Sequence, residues 1–196
     1  MLLFKMLRGG GRRAMDPLHV SMTGVRMGER FIQIGCDDRS LLAGLAAKVG
    51  LSGSAAVAAF DEASARRARA TAAKVGALID VHVIASGQLP FDTGMVDMLV
   101  IDDTRAALSS RPDEIRRLIL GEALRTVRSG GRVEAVESIG KTPATLAGDL
   151  EQAGFKPVRV LAEKDGLRFV EGLKPNLRQE PSCGTSVRNP RAIFLK

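Results

Sequence analysis

The 196-residue chain contains no tryptophan and no tyrosine, and only two cysteines and two histidines. Seven phenylalanines are its whole aromatic complement, so the base-stacking platforms that single-strand nucleic-acid binders rely on are scarce. Cys36 and Cys183 are too few for a disulfide scaffold or a zinc cluster, which predicts a reducing, cytoplasmic location. No apolar run approaches the roughly 20 residues of a membrane-spanning helix. The opening stretch MLLFKMLRGGGRR turns basic after a few apolar residues and lacks the h-region of a secretory signal. No internal repeat occurs, and no P-loop signature ending in Gly-Lys-Ser/Thr is present.

Charge is present but unevenly spread. Of the net +7, residues 1–30 carry +4 and residues 172–196 carry +4, leaving 31–171 at −1. A near-neutral body with two basic ends is not the footprint of a domain built to lie along nucleic acid. Length and composition fit one core-forming domain of about 140 residues plus flanks. The boundaries read as a basic N-terminal segment 1–27, a domain 28–174, and a basic tail 175–196. GGGRR (9–13) and NLRQEPSCGTSVRNP (176–190) have little periodicity and much Gly, Pro, Ser and Asn, which predicts mobility there.

Within the body, short Val/Ile/Ala runs alternate with helical patterns. FIQIG (31–35), AAVAAF (55–60), VHVI (81–84), VDMLVID (96–102) and GRVEAVES (131–138) read as strands buried on both faces. SLLAGLAAKVG (40–50) and EASARRARATAAKVG (62–76) read as helices, the second with Arg66, Arg67, Arg69 and Lys74 turned to water. A third helix is predicted from a Ser110 cap to a stop at Gly130, and a fourth from a Thr142 cap to Gly154. Lys164-Asp165-Gly166 between two β-rich runs, 156–163 and 167–172, is a hairpin signal. The expected fold is a doubly wound, mostly parallel α/β sheet of seven strands with a C-terminal antiparallel hairpin. Its ligand belongs at the carboxyl ends of the strands.

The loop after the first strand, Gly35-Cys36-Asp37-Asp38-Arg39-Ser40, discriminates between ligands. A dinucleotide needs several glycines so that backbone N–H groups approach its pyrophosphate. Only Gly35 is present, and Asp37 and Asp38 repel phosphate. In the same stretch the chain resembles the class I S-adenosylmethionine (SAM)-dependent methyltransferases, nearest the ubiquinone/menaquinone-biosynthesis type, over about residues 28–174. GERFIQIGCDDRSL is similar to the family's first strand and loop, and Phe60-Asp61 to its second strand with a terminal acid. Gln88-Leu89-Pro90-Phe91 with Val96-Asp97, then 122–133, and Ala153-Gly154-Phe155 with the hairpin continue the likeness in order.

The resemblance implies SAM as cofactor and a small-molecule methyl acceptor, with O-, N- and C-methylation not separated. It implies that Asp61 accepts hydrogen bonds from the ribose hydroxyls, although Asp is equally a preferred N-cap for helix 62–76. It places Cys36 beside the cofactor as a small residue, and Ser86 and its N–H near adenine. Asp102-Asp103, at the tip of the fourth strand, face the cleft in this reading, with Asp102 beside the cofactor and the pair open to taking a proton from a hydroxyl or amine as a base; the competing reading is a solvated loop with Asp103 or Thr104 capping a short helix. His82 reads as a core histidine in a buried strand. His19 lies in an entry segment that in this family covers the substrate. The departures are Gln33 in place of an acid, Asp37 and Arg39 in place of glycines, and Ala85 in place of the acid that precedes "LPF" by four residues. They motivate an alternative: a degenerate methyltransferase fold with weak or no SAM binding that serves as a binding or scaffold module. A nucleic-acid methyltransferase, suggested by the basic flanks, lacks the N-P-P-Y-type signature.

Overall fold

The computed structural model describes residues 17–140 and 146–176. The expected flank mobility, the Thr142 cap with Pro143, and Cys183 lie outside the described residues. In chain order the elements are α1 (Pro17–Met22), β1 (Arg30–Ile34), α2 (Arg39–Val49), β2 (Ser54–Ala59), α3 (Glu62–Val75) and β3 (Ile79–Val83). There follow β4 (Val96–Asp103), α4 (Asp113–Thr126), β5 (Val127–Ser138), α5 (Leu146–Ala153), β6 (Val158–Lys164) and β7 (Leu167–Leu173). They form one seven-stranded sheet in the order β3-β2-β1-β4-β5-β7-β6. The first five strands are parallel, and β7 is antiparallel to both β5 and β6.

Strand alternation sorts the core into two layers. Phe31, Met98, Val100, Val136 and Phe169 face α1 and α2, where Val20, Leu41 and Leu45 meet them. Ile32, Ile34, Leu99, Ile101, Val133 and Ala135 face α4 and α5, against Ile119, Leu120, Ala123, Leu146 and Leu150. The small residues Ala65 and Ala68 of α3 seat on Val57 and Ala59 of β2. Strand order reverses between β1 and β4, which opens a crevice at their carboxyl ends.

Two sequence segments that resemble family motifs are joined to each other. Glu122 accepts from the Leu89 N–H at 3.0 Å, while Arg125 donates to the Leu89 and Phe91 carbonyls at 3.0 and 2.8 Å. Glu122 and Arg125 are themselves paired at 2.8 Å. The 88–91 segment is thus pinned on α4 by one turn of charged residues.

Three local expectations change. The third helix starts after Pro112 with no side-chain cap, and the Ser110 hydroxyl donates instead to the Ala106 carbonyl. That helix ends at Thr126, not Gly130, because the Lys174 ammonium caps the Arg125 and Val127 carbonyls at 3.3 and 2.6 Å. Residues 128–131 then enter β5 as an irregularity in its pairing with β4. His82 is only half-buried, because β3 is an edge strand; its ring meets Phe91 edge-on at 5.2 Å.

Candidate functional site

The carboxyl edge of β1 is built around a close approach. Gly35 has φ +82, and a Cβ there would lie 2.7 Å from the Asp102 carbonyl oxygen and 3.7 Å from the Phe60 ring. Only glycine combines that backbone angle with that clearance. Gly35→Ala is therefore expected to cost about 1–3 kcal/mol, read as a lowered urea midpoint with an unchanged m-value. An unchanged midpoint would mean that β1 and β4 can move apart.

Asp102 organises the loop beyond Gly35. Its side chain is fully buried, and Oδ2 accepts the Asp37 and Asp38 N–H groups at 2.9 and 2.7 Å. Oδ1 accepts the Thr104 N–H at 3.2 Å and the Thr104 hydroxyl at 2.7 Å. Burial pushes this carboxyl up in pKa against those four hydrogen bonds. Asp103 is also fully buried, with Oδ1 accepting the Leu108 and Ser109 N–H groups at 2.8 and 3.1 Å. Neither the exposed-base reading nor the solvated-loop reading survives. Both carboxylates are internal acceptors that shape the 104–110 turns, which form no helix.

The other sequence-derived residues fall at the same edge with different surroundings. Cys36 is buried, and burial, assisted by the Asp102 charge, pushes its thiol up to about 12. It is a small protonated side chain and not a nucleophile. Gln33 is buried with its amide donating to the Gly35 carbonyl at 3.1 Å, and its Oε1 has no partner among the described residues. Asp61 is exposed and caps α3, Oδ1 accepting the Ser64 N–H at 2.6 Å; that hydrogen bond holds its pKa down. Ser86 and Ala85 are exposed in the turn after β3. His19 lies on α1, buried against Phe169, with Nε2 3.1 Å from Asp165 in the β6–β7 turn.

Sequence reasoning missed three participants. Arg111 places its guanidinium 4.2 Å from the centre of the Phe60 ring, covering the residue that packs on Gly35. Arg67, expected to face water, reaches Asp37 at 3.7 Å. Arg105 brings a further cation to the same loop, where its field lowers the pKa of Asp37 against the rise that burial causes. No pattern of spacing marks these contacts, because each joins residues from separate elements.

No protein-family model matches the chain, and no curated protein matches it. Solved structures do resemble it. A SAM-dependent methyltransferase from Aquifex aeolicus superposes with a TM-score of 0.68 at 18% identity, covering 82% of this chain and 90% of that one. PigF, solved with SAH, gives a TM-score of 0.55 at 22% identity over 74% of this chain and 50% of the other. The cyclase SpnF gives 0.63 at 12% identity over 82% and 81%. The chain therefore shares its fold with solved SAM-dependent methyltransferases. The presence of a cyclase among these neighbours shows that the fold alone does not fix the reaction.

Proposed function

We propose that this chain is a SAM-dependent methyltransferase acting on a small-molecule acceptor, through a domain spanning residues 28–174. The observation that carries the reading is the glycine turn at the β1/β4 switch point. There Gly35, at φ +82, lets the end of β1 pass closely against the Asp102 carbonyl, at the carboxyl edge of a fold shared with SAM-dependent methyltransferases. In this reading the ligand lies over the carboxyl edge against Gly35, Cys36, Asp61 and Ser86, on a loop held in place by Asp102. SAM supplies a methyl group on a sulfonium. The chain contributes position and exclusion of water, the factors that carry most of such a transfer.

Asp61 provides the sharpest test. Serine caps a helix about as well as aspartate but has no carboxylate to receive two ribose hydroxyls. Asp61→Ser is expected to leave the melting temperature nearly unchanged while weakening SAM and SAH binding about tenfold or more. For the unmodified chain, ligand at about 100 times its Kd should add roughly 2.7 kcal/mol of stability. Equal binding by the serine variant would remove Asp61 from the site.

One set of contacts favours a second reading, a methyltransferase fold that holds no SAM and serves as a binding module. The Asp37 and Asp38 N–H groups, which face the loop's interior, are already taken by Asp102, and Arg111 already covers Phe60. Absence of any thermal response to millimolar SAM or SAH would establish that reading over the first.

A further inference from the structure

We infer that the edge at which the parallel strands begin, opposite the proposed cofactor edge, docks the protein on an anionic lipid membrane surface. The strand order β3-β2-β1 sets the loops that lead into these three strands side by side. Each loop carries one large apolar residue turned almost wholly to water. Met27 before β1, Leu51 before β2 and Leu78 before β3 are 80, 95 and 88% exposed. The three loops touch one another. The Gly28 N–H donates to the Val49 carbonyl at 3.0 Å, and a Cβ on Gly50 would lie 4.0 Å from Met27 Cγ. Leu51 and Leu78 flank a single groove of about 210 Å³, and every residue lining it is Ala, Val, Leu or Gly. Apolar residues scattered singly over a surface are ordinary, but three at neighbouring tips around an apolar groove mark an interaction site.

Charge on this edge selects the occupant. Residues 26–29, 48–53 and 74–78, which make the three loops and the last helical turns beside them, hold Arg26, Lys48 and Lys74 against one acid, Glu29. Glu29 is taken by Arg132 at 3.1 Å, whereas none of the three cations forms an ion pair with a described residue. Asp80, exposed at the start of β3, offsets one of the three. Apolar tips that enter the acyl boundary, with basic heads held beside anionic headgroups, are the chemistry of a peripheral membrane contact. A second protein fits less well, because a protein interface carries about one hydrogen bond per 100–200 Å² and the groove offers no hydrogen-bonding side chain. Contact through this edge leaves the carboxyl ends of β1 and β4 open to water, whatever ligand they carry.

The test is co-sedimentation of the full chain with vesicles of phosphatidylcholine and phosphatidylglycerol mixed about two to one, and with vesicles of phosphatidylcholine alone. Saturable binding to the mixed vesicles is expected, and weaker binding to the neutral ones. Met27→Ser, Leu51→Ser and Leu78→Ser should each weaken partitioning about tenfold, and Arg26→Gln and Lys48→Gln about fivefold each. Melting temperatures of the three tip variants should not change, since side chains so exposed hold no other element. Leu161→Ser on β6 and Arg66→Gln in the first half of α3 remove an exposed apolar group and an exposed cation elsewhere, and should leave binding intact. The inference is overturned if the chain stays in the supernatant with both vesicles, or if neutral vesicles bind it equally well. It is equally overturned if the tip variants sediment like the parent, which would move the contact to the basic flanks. A lipid-free dimer in analytical ultracentrifugation that Leu51→Ser and Leu78→Ser dissolve would assign the edge to a second copy of the chain instead.

Discussion

Glu134→Gln is expected to remove a large part of the pH dependence in the stability of this protein. Glu134 lies mid-strand in β5, 1% exposed, with neither carboxyl oxygen partnered among the described residues. It stands between Val100 of β4 and Glu171 of β7 in the sheet register. Burial first, and the neighbouring Glu171 second, push its pKa from the usual 4.5 to about 9, with Arg132 and Arg159 opposing. The folded state then holds a proton that the unfolded state has released. Unfolding stability must fall as pH rises across that window, by about 1.4 kcal/mol per pH unit. The contribution is complete below about 4.5 and lost by about 9, a span of roughly 6 kcal/mol.

The measurement is urea denaturation of both proteins at several pH values between 5 and 9 (roughly the window of the shift). Asp37, Asp102 and Glu137 also have raised pKa values and add slope in both proteins, so the difference between the two curves isolates Glu134. Parallel curves would mean that the Glu134 carboxyl is solvated or paired in solution.

The second large effect belongs to Asp102. Asp102→Ala strands the Asp37, Asp38 and Thr104 N–H groups around a void, and the expected loss is about 3–5 kcal/mol. Asn is a poor replacement, since its amide nitrogen must face N–H donors on one side whichever way it is turned. Hydrogen exchange gives a local readout: the Asp37 and Asp38 amides should exchange slowly in the parent chain and near the free rate in the alanine variant. Fast exchange in the parent would show that Asp102 does not hold the loop. Because this carboxylate joins the tips of β1 and β4, its loss also bears on any ligand carried by Gly35.

Most of the fold is legible from local chemistry. Continuous apolar runs at β2 and β4, the Ala-rich face of α3, and the Asp165-Gly166 turn each express it within a few residues. Asp165 and Gly166 indeed take φ 52 and 78, as a tight hairpin requires. The helix boundary near Gly130 is not legible, because Lys174 caps α4 from the far end of the domain. The exposure of His82 is hidden for a related reason: the composition of β3 does not reveal that the strand sits at the edge of the sheet.

The candidate site divides the same way. Sequence alone determined the alternation of elements, the place of Gly35 at the first turn, and the capping chemistry open to Asp61. These depend on neighbours within a few residues, where backbone geometry and side-chain reach are set by spacing. Only the tertiary structure decided that Asp102 is spent on the 37–38 loop, that Arg111 covers Phe60, and that Met27, Leu51 and Leu78 share one edge. Those outcomes depend on which strand ends lie side by side, and chain separation carries no record of that distance.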